Sequence, residues 1–171
     1  SKSRAEARAE AFGDAVIDAL DHGTPDERRE ALAAVPAETG QSAILGLIMA
    51  SDPVEDKAAT LAALDKVAAD ASLTPAYRDL AVLRRVLVAG ADLPVADRRS
   101  ALEGIAAPGR PYRVLAEEQL GYLLIEEGKP DDAIAALTAL LQDQEASASL
   151  RARLGQVVTA LGGTVPEVSG G

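Results

Sequence analysis

Residues 113–141, RVLAEEQLGYLLIEEGKPDDAIAALTALL, decide the fold. Leu115, Leu120, Leu123 and Leu124 recur at helical spacing, Gly128 and Pro130 interrupt the pattern, and Ile134, Leu137, Leu140 and Leu141 resume it. A connection as short as Lys129-Pro130 returns the chain antiparallel, so the stretch predicts a helical hairpin. Neither helix can bury its apolar stripe alone. The hairpin therefore needs neighbours on both sides.

The rest of the chain supplies candidates. A short pattern, Ala-Leu-x-x-aliphatic, reads ALAAV at 31–35, ALDKV at 63–67, ALEGI at 101–105 and ALTAL at 136–140. Its leucines fall at positions 32, 64, 102 and 137, giving spacings of 32, 38 and 35. These straddle the repeat length of about 34 of helix-turn-helix solenoids. A second register agrees, since Tyr77-Arg78-x-Leu80-Ala81 returns as Tyr112-Arg113-x-Leu115-Ala116.

Composition points the same way. The 171 residues suffice for one domain or a small repeat array that buries roughly two-thirds of its unfolded surface. One Phe, three Tyr and no Trp, within 48% hydrophobic residues, leave aliphatic side chains and alanine to build the core. Alanine and leucine favour helices and β-branched runs are absent, so an all-α fold is expected.

Stop and start signals divide the chain further. An amphipathic helix over 6–20 ends at His22-Gly23, and Thr24-Pro25-Asp26-Glu27 starts a second that runs to about Val35. A short apolar helix is expected over 43–50, followed by one capped by Asp52-Pro53 that extends to about Ala71. Thr74-Pro75 opens a helix over 77–88, and another follows over 95–105. The hairpin comes next, then a last helix over 146–161. The expected architecture is an irregular solenoid of about four hairpins plus a terminal helix, one repeat domain over 1–163 and a flexible tail over 164–171.

The net charge of −10, from 17 Lys and Arg against 27 Asp and Glu, opposes binding to nucleic acid, which needs a basic face. It also opposes adsorption to anionic lipid. Without cysteine there is no disulfide, thiol nucleophile or thiolate metal site. No run of about 18 apolar residues is present to span a membrane.

No catalytic constellation stands out, and no cofactor or metal is expected. His22, the single histidine, sits at a helix end, where imidazole caps carbonyls. The serines lack a histidine partner set or a nucleophile elbow, and no glycine-rich phosphate loop occurs. Glu117-Glu118, Glu126-Glu127 and Asp131-Asp132 are adjacent pairs, which on a helix point about 100° apart and do not converge on one ion. Met49 and the aliphatic residues around it read as core. Arg84-Arg85 and Arg98-Arg99 suit either an acidic partner or salt pairing on a solvated face.

The hairpin resembles a tetratricopeptide repeat. Leu120-Gly121, Leu124, Gly128, Ala133, Leu137 and Leu140 stand at the spacings of that family's Leu-Gly, Tyr, Gly, Ala, Phe/Tyr and Ala positions. Phe12-Gly13 and Leu45-Gly46 look like degenerate copies of the Leu-Gly dipeptide. Two departures stand beside this. Glu117 occupies the family's Trp position, and no proline closes the repeat near Glu145.

Taken whole, the chain resembles the periplasmic tetratricopeptide-like domain of bacterial inner-membrane proteins related to the ancillary translocon subunit YfgM. The charged, alanine-rich first helix, TPAYRDLA at 74–81 and GRPYRVLAEEQLGYLLIEEGKPDDAIAAL at 109–137 carry the likeness. It implies a transmembrane anchor just upstream of Ser1, an inner-membrane location with this domain on the periplasmic side, and translocon or periplasmic chaperone partners. The expected function is a non-enzymatic protein–protein interaction module. The repeat geometry places Glu118, Tyr122 and Ile125 in a partner groove bordered by Tyr77, Arg78 and Tyr112. Alternatives are a self-associating scaffold, assembled as a homo-oligomer through the first helix, and a cytoplasmic tetratricopeptide adaptor.

Overall fold

Three of the described helices begin where a side chain satisfies one of their first backbone N–H groups. The computed structural model of the chain describes residues 3–21, 24–36 and 57–167. Ser3 and Glu6 form a reciprocal capping box, Ser3 Oγ accepting from Glu6 N at 3.2 Å and Glu6 Oε2 from Ser3 N at 2.8 Å. They open α1, Arg4–Leu20. Thr24 Oγ1 accepts from Glu27 N at 3.1 Å and opens α2, Pro25–Ala33.

Then come α3 (Lys57–Ala69), α4 (Pro75–Ala89), a 3-10 turn at Gly90–Asp92, α5 (Val95–Ile105), α6 (Arg113–Glu126), α7 (Pro130–Leu141) and α8 (Ala148–Ala160). All regular structure among the described residues is helical, so the chain is all-α. The helix expected over 43–50, Met49, the Asp52-Pro53 cap, Leu45-Gly46 and His22 lie outside the described residues.

Most boundaries fall close to the sequence signals, and two that shift have a physical cause. α3 stops at Ala69 instead of continuing to Ala71, because Asp70 Oδ1 accepts from both Ser72 N (2.9 Å) and Ser72 Oγ (2.6 Å), closing a local turn. α8 starts at Ala148 instead of Ala146, because Ser147 Oγ accepts from Leu150 N at 3.1 Å. Glycine ends two helices in the left-handed conformation. At Gly128 (φ 75°), Lys129 N donates to the Leu124 carbonyl and Gly128 N to that of Ile125. Gly162 (φ 88°) repeats the arrangement after α8.

The chain divides into two compact units. The first comprises Ser1–Pro94 with Arg110–Tyr112, and the second Val95–Gly109 with Arg113–Gly171. In the first, α1 packs on α2 and α4, and α3 on α4. In the second, α5 packs on α6, α6 on α7 and α7 on α8. The sequence pairs α4 with α5 as one hairpin of a continuous array, whereas here the two helices belong to different units.

The repeated leucines are core residues. Leu32, Leu64, Leu102 and Leu137 are each at most 2% exposed. Phe12, Val16, Leu80 and Leu83 accompany the first two, in the first unit, and Leu140, Leu150, Leu154 and Val158 surround Leu137 in the second.

Glycine sets how closely the hairpin closes. A Cβ on Gly121 would lie 2.5 Å from Leu137 Cδ2 and 3.0 Å from its Cγ, and Leu137 is fully enclosed. Overpacking of this kind costs about 1–3 kcal/mol, more than the gain of about 0.5–1 kcal/mol that alanine brings to a helix interior. Gly121→Ala is therefore expected to lower the unfolding free energy measured in denaturant. Gly104→Ala, where a Cβ meets nothing within 4 Å, is expected to raise it by up to about 1 kcal/mol. Equal effects at the two positions would remove the close-approach argument.

Candidate functional site

Three charged side chains are buried among the described residues, and each finds an opposite charge: Asp79, Arg98 and Glu118. An isolated charge in such a place costs several kcal/mol, so the partners are structural requirements. Asp79 receives Arg110, Arg98 grips Glu126 through two bonds of 2.7 Å, and Glu118 receives Arg153. Arg99 pairs with Glu127 next door. The acidic doublet at the end of α6 thus matches the basic doublet of α5, which settles Arg98-Arg99 as salt pairing within one unit.

Glu118, Tyr122 and Arg153 form the most developed polar cluster on the expected groove helix. Glu118 Oε2 accepts from Tyr122 Oη and from Arg153 Nε, both at 2.6 Å, while Oε1 accepts from Arg153 Nη2 at 3.0 Å. Glu118 and Tyr122 stand four residues apart on α6, hence on one face, and Arg153 approaches from α8. Burial, then the bond to Glu118, pushes the Tyr122 phenol well above its ordinary range. Ile125, one turn further along α6, packs half-buried against the cluster of Leu137, Leu150 and Leu154.

Of the three residues that repeat geometry places in the groove, Glu118 is therefore only 3% exposed, sealed by Tyr122 and Arg153. Tyr122 and Ile125 keep partial exposure. Arg153, which no local pattern marks, completes the cluster, and only a pairing 35 residues distant identifies it.

The bordering residues belong to the first unit. Tyr77 on α4 meets Phe12 of α1 edge to face, with ring centroids 5.7 Å apart and planes at 80°. Arg78 is half-buried beside it on α4. Tyr112 is 2% exposed and so is a core residue here, not a groove edge. Its hydroxyl end lies over Gly13, where a Cβ would come within 2.1 Å of Oη and 3.1 Å of Cζ. Burial above all, then the nearby Asp14 and Asp79 carboxylates, raises its phenol well above the ordinary range. The six expected residues are thus distributed over two units.

A cleft of about 520 Å³ opens in the second unit between the end of α7, α8 and residues 165–167. Leu141, Ala152, Val165 and Pro166 give it apolar walls, and the Arg151 guanidinium beside it donates to the Asp143 carbonyl at 3.0 Å. Residues 164–167 of the expected tail thus run along the second unit. Asp131 and Asp132 sit exposed in the first turn of α7, where the helix dipole favours negative charge. No group of three His, Asp or Glu side chains suited to a metal occurs among the described residues. No described helix is long and apolar enough to cross a membrane.

Compared with protein-family models, with curated proteins and with solved structures, the chain finds no match.

Two measurements test the cluster. Arg153→Met leaves the Glu118 carboxylate buried with Tyr122 alone. Losing a fully buried partner costs about 3–5 kcal/mol, which solvent around the partly exposed Arg153 reduces to roughly 1–2 kcal/mol. Adding Glu118→Gln, which keeps an acceptor for Tyr122 without the charge, is expected to recover most of the loss in denaturant unfolding.

Tyr112 and Tyr122 give an alkaline signature. Their folded-state pKa values lie above the unfolded value near 10, so their contribution to stability is complete below about pH 10 and is lost as pH rises through the folded-state values. Phenolate absorbance is expected to show Tyr112 and Tyr122 ionising late, and Tyr112→Phe should remove one of these late steps. Normal titration of both would contradict their burial.

Proposed function

We propose that this chain is a non-enzymatic protein–protein interaction module of the tetratricopeptide kind, the periplasmic domain of a single-pass inner-membrane protein that binds translocon or chaperone partners. The observation that carries the reading is the relation among α6, α7 and α8. α6 and α7 close as a hairpin on Gly121, and α8 bonds back to α6 through Arg153 and Glu118, 35 residues apart. One repeat length between equivalent helices is what a stacked helix-turn-helix array requires.

Other features support it. Arg113 at the head of α6 bonds to Asp143 and Glu145 beyond α7, at 2.8 Å to Asp143 Oδ2, again about one repeat away. The Phe12-Gly13 dipeptide, like Leu120-Gly121, places its glycine where a neighbouring large side chain leaves no room for a Cβ. In this reading the partner surface of the best repeat is Tyr122, Ile125 and Arg153, and Tyr77 and Arg78 serve the first unit. The compartment and the partner class come from the sequence resemblance alone.

A second reading, a self-associating scaffold, has one observation in its favour. Residues 3–8, the first turns of α1, are all exposed, leaving that end of the helix open to another copy. Sedimentation at micromolar concentration separates the two, since a strict monomer excludes the scaffold.

The first reading is tested by using the protein as bait in solubilised membranes. Translocon subunits or periplasmic folding factors should be enriched on the wild type and depleted on Tyr122→Ala. Recovery of nothing above a variant with substituted surface charges would overturn the proposal.

A further inference from the structure

The segment Arg110–Tyr112 is covered by helices to which it does not adjoin in sequence. The helices on either side of it, α5 and α6, belong to the second unit, while these three residues belong to the first. Gly109, with φ 83°, turns the chain into the segment. Neither Arg110 nor Tyr112 lies in a helix.

Both side chains are nevertheless fully engaged. Arg110 meets Asp79 of α4 side-on, Nε to Oδ2 at 2.8 Å and Nη2 to Oδ1 at 2.6 Å, and Asp79 is 3% exposed. Tyr112 slides its ring end over Gly13 of α1 so closely that no side chain fits beneath it. Pro111 between them is exposed and leaves the packing to its neighbours. One buried ring and one half-buried guanidinium bonded to a buried carboxylate, on an irregular backbone and separated by one outward residue, are the geometry by which folded domains hold short linear peptides.

The receiving surface is built for these two groups. A carboxylate held inside a helix bundle needs a permanent cationic partner, and the two parallel bonds are the geometry of a planar guanidinium rather than of an ammonium. The space above the bare Gly13 backbone takes the ring, and a tyrosine only 2% exposed leaves no room for a phosphoryl group. Glu10 and Asp14 flank this position along α1 and give it a negative rim, which favours basic segments.

We propose that the first unit carries a peptide-recognition socket, Gly13 with Asp79, for segments of the form Arg-x-Tyr, and that the chain's own Arg110–Tyr112 occupies it in cis. This inference is independent of the tetratricopeptide reading. It rests on the first unit alone and survives or fails whatever the membrane bait recovers. The Arg110 side chain is 41% exposed, so its bond to Asp79 is open to water and salt, and a segment supplied in trans can compete at that end.

The test uses the full chain carrying Arg110→Ala and Tyr112→Ala, and the labelled peptide Gly-Arg-Pro-Tyr-Arg as probe. In the wild type the tethered segment competes at an effective concentration in the millimolar range, so the variant is expected to bind the probe about 10²-fold more tightly. Replacing the peptide's tyrosine by alanine or phosphotyrosine, replacing the arginine before its proline by lysine, or adding Asp79→Asn to the protein should each abolish the gain. A folded variant that binds no better than the wild type overturns the proposal, as does equal binding of the phosphotyrosine peptide. If the variant loses its helical circular dichroism, the peptide becomes the complementing fragment. Return of the signal on adding it supports the socket, and failure to return at millimolar peptide refutes it.

Discussion

Close approach of helices at glycine is the constraint on which both units depend. A chain with four aromatic residues cannot fill wide gaps between helices with rings, so its helices must lie near one another and interlock aliphatic side chains. Gly121 lets Leu137 sit directly on the α6 backbone, and Gly13 lets Tyr112 sit on that of α1. The two glycines differ in what they admit. One closes a local hairpin across a short turn, whereas the other admits a residue almost a hundred positions away and ties a distant segment into the first unit.

Close packing by alanine and leucine has a weakness, which is that it specifies register poorly. Sliding one such helix past another by a turn, about 5.4 Å, replaces leucine with leucine and alanine with alanine at little cost in buried area. The buried charges lack that freedom. Displacing α8 by one turn takes Arg153 away from Glu118, and displacing α6 against α5 takes Glu126 and Glu127 away from Arg98 and Arg99. Buried ion pairs add little net stability over well-packed apolar residues, but a misaligned one leaves a bare charge in the interior. The aliphatic contacts therefore drive association in these units, and the charge pairs select one alignment.

Much of this organisation is visible in the sequence because it is local. Thr24, Thr74 and Gly128 mark helix ends by rules that operate within a few residues, and Leu32, Leu64, Leu102 and Leu137, which share one short sequence pattern, are all core residues. What escapes sequence reading is non-local. Glu118 has the helical position of a groove residue and becomes an interior one because Arg153 lies 35 residues later. The two Tyr-Arg copies look equivalent but diverge. Tyr77 follows Pro75 and Ala76 inside the first turn of α4, whereas Tyr112 directly follows Pro111 and precedes α6, so its ring stands outside any helix and is buried within the first unit. The period alone also overlooks the division at Pro94, which assigns α4 and α5 to different units.

The acidity of the chain takes on a different meaning once the pairs are assigned. Of its 17 basic residues, Lys57, Arg85, Arg98, Arg99, Arg110, Arg113 and Arg153 pair with carboxylates of other elements, and Arg151 bonds a carbonyl. These cations thus serve internal architecture, in a chain whose 27 carboxylates outnumber its 17 basic residues. Surface potential of that sign repels acidic chains and attracts basic ones, accelerating encounter without fixing a site. A site requires shape as well. The first unit supplies one at Gly13 and Asp79, where a ring-sized space and a buried carboxylate lie within reach of one tripeptide. The segments that would suit the proposed socket of the first unit are therefore basic ones that also carry an aromatic ring.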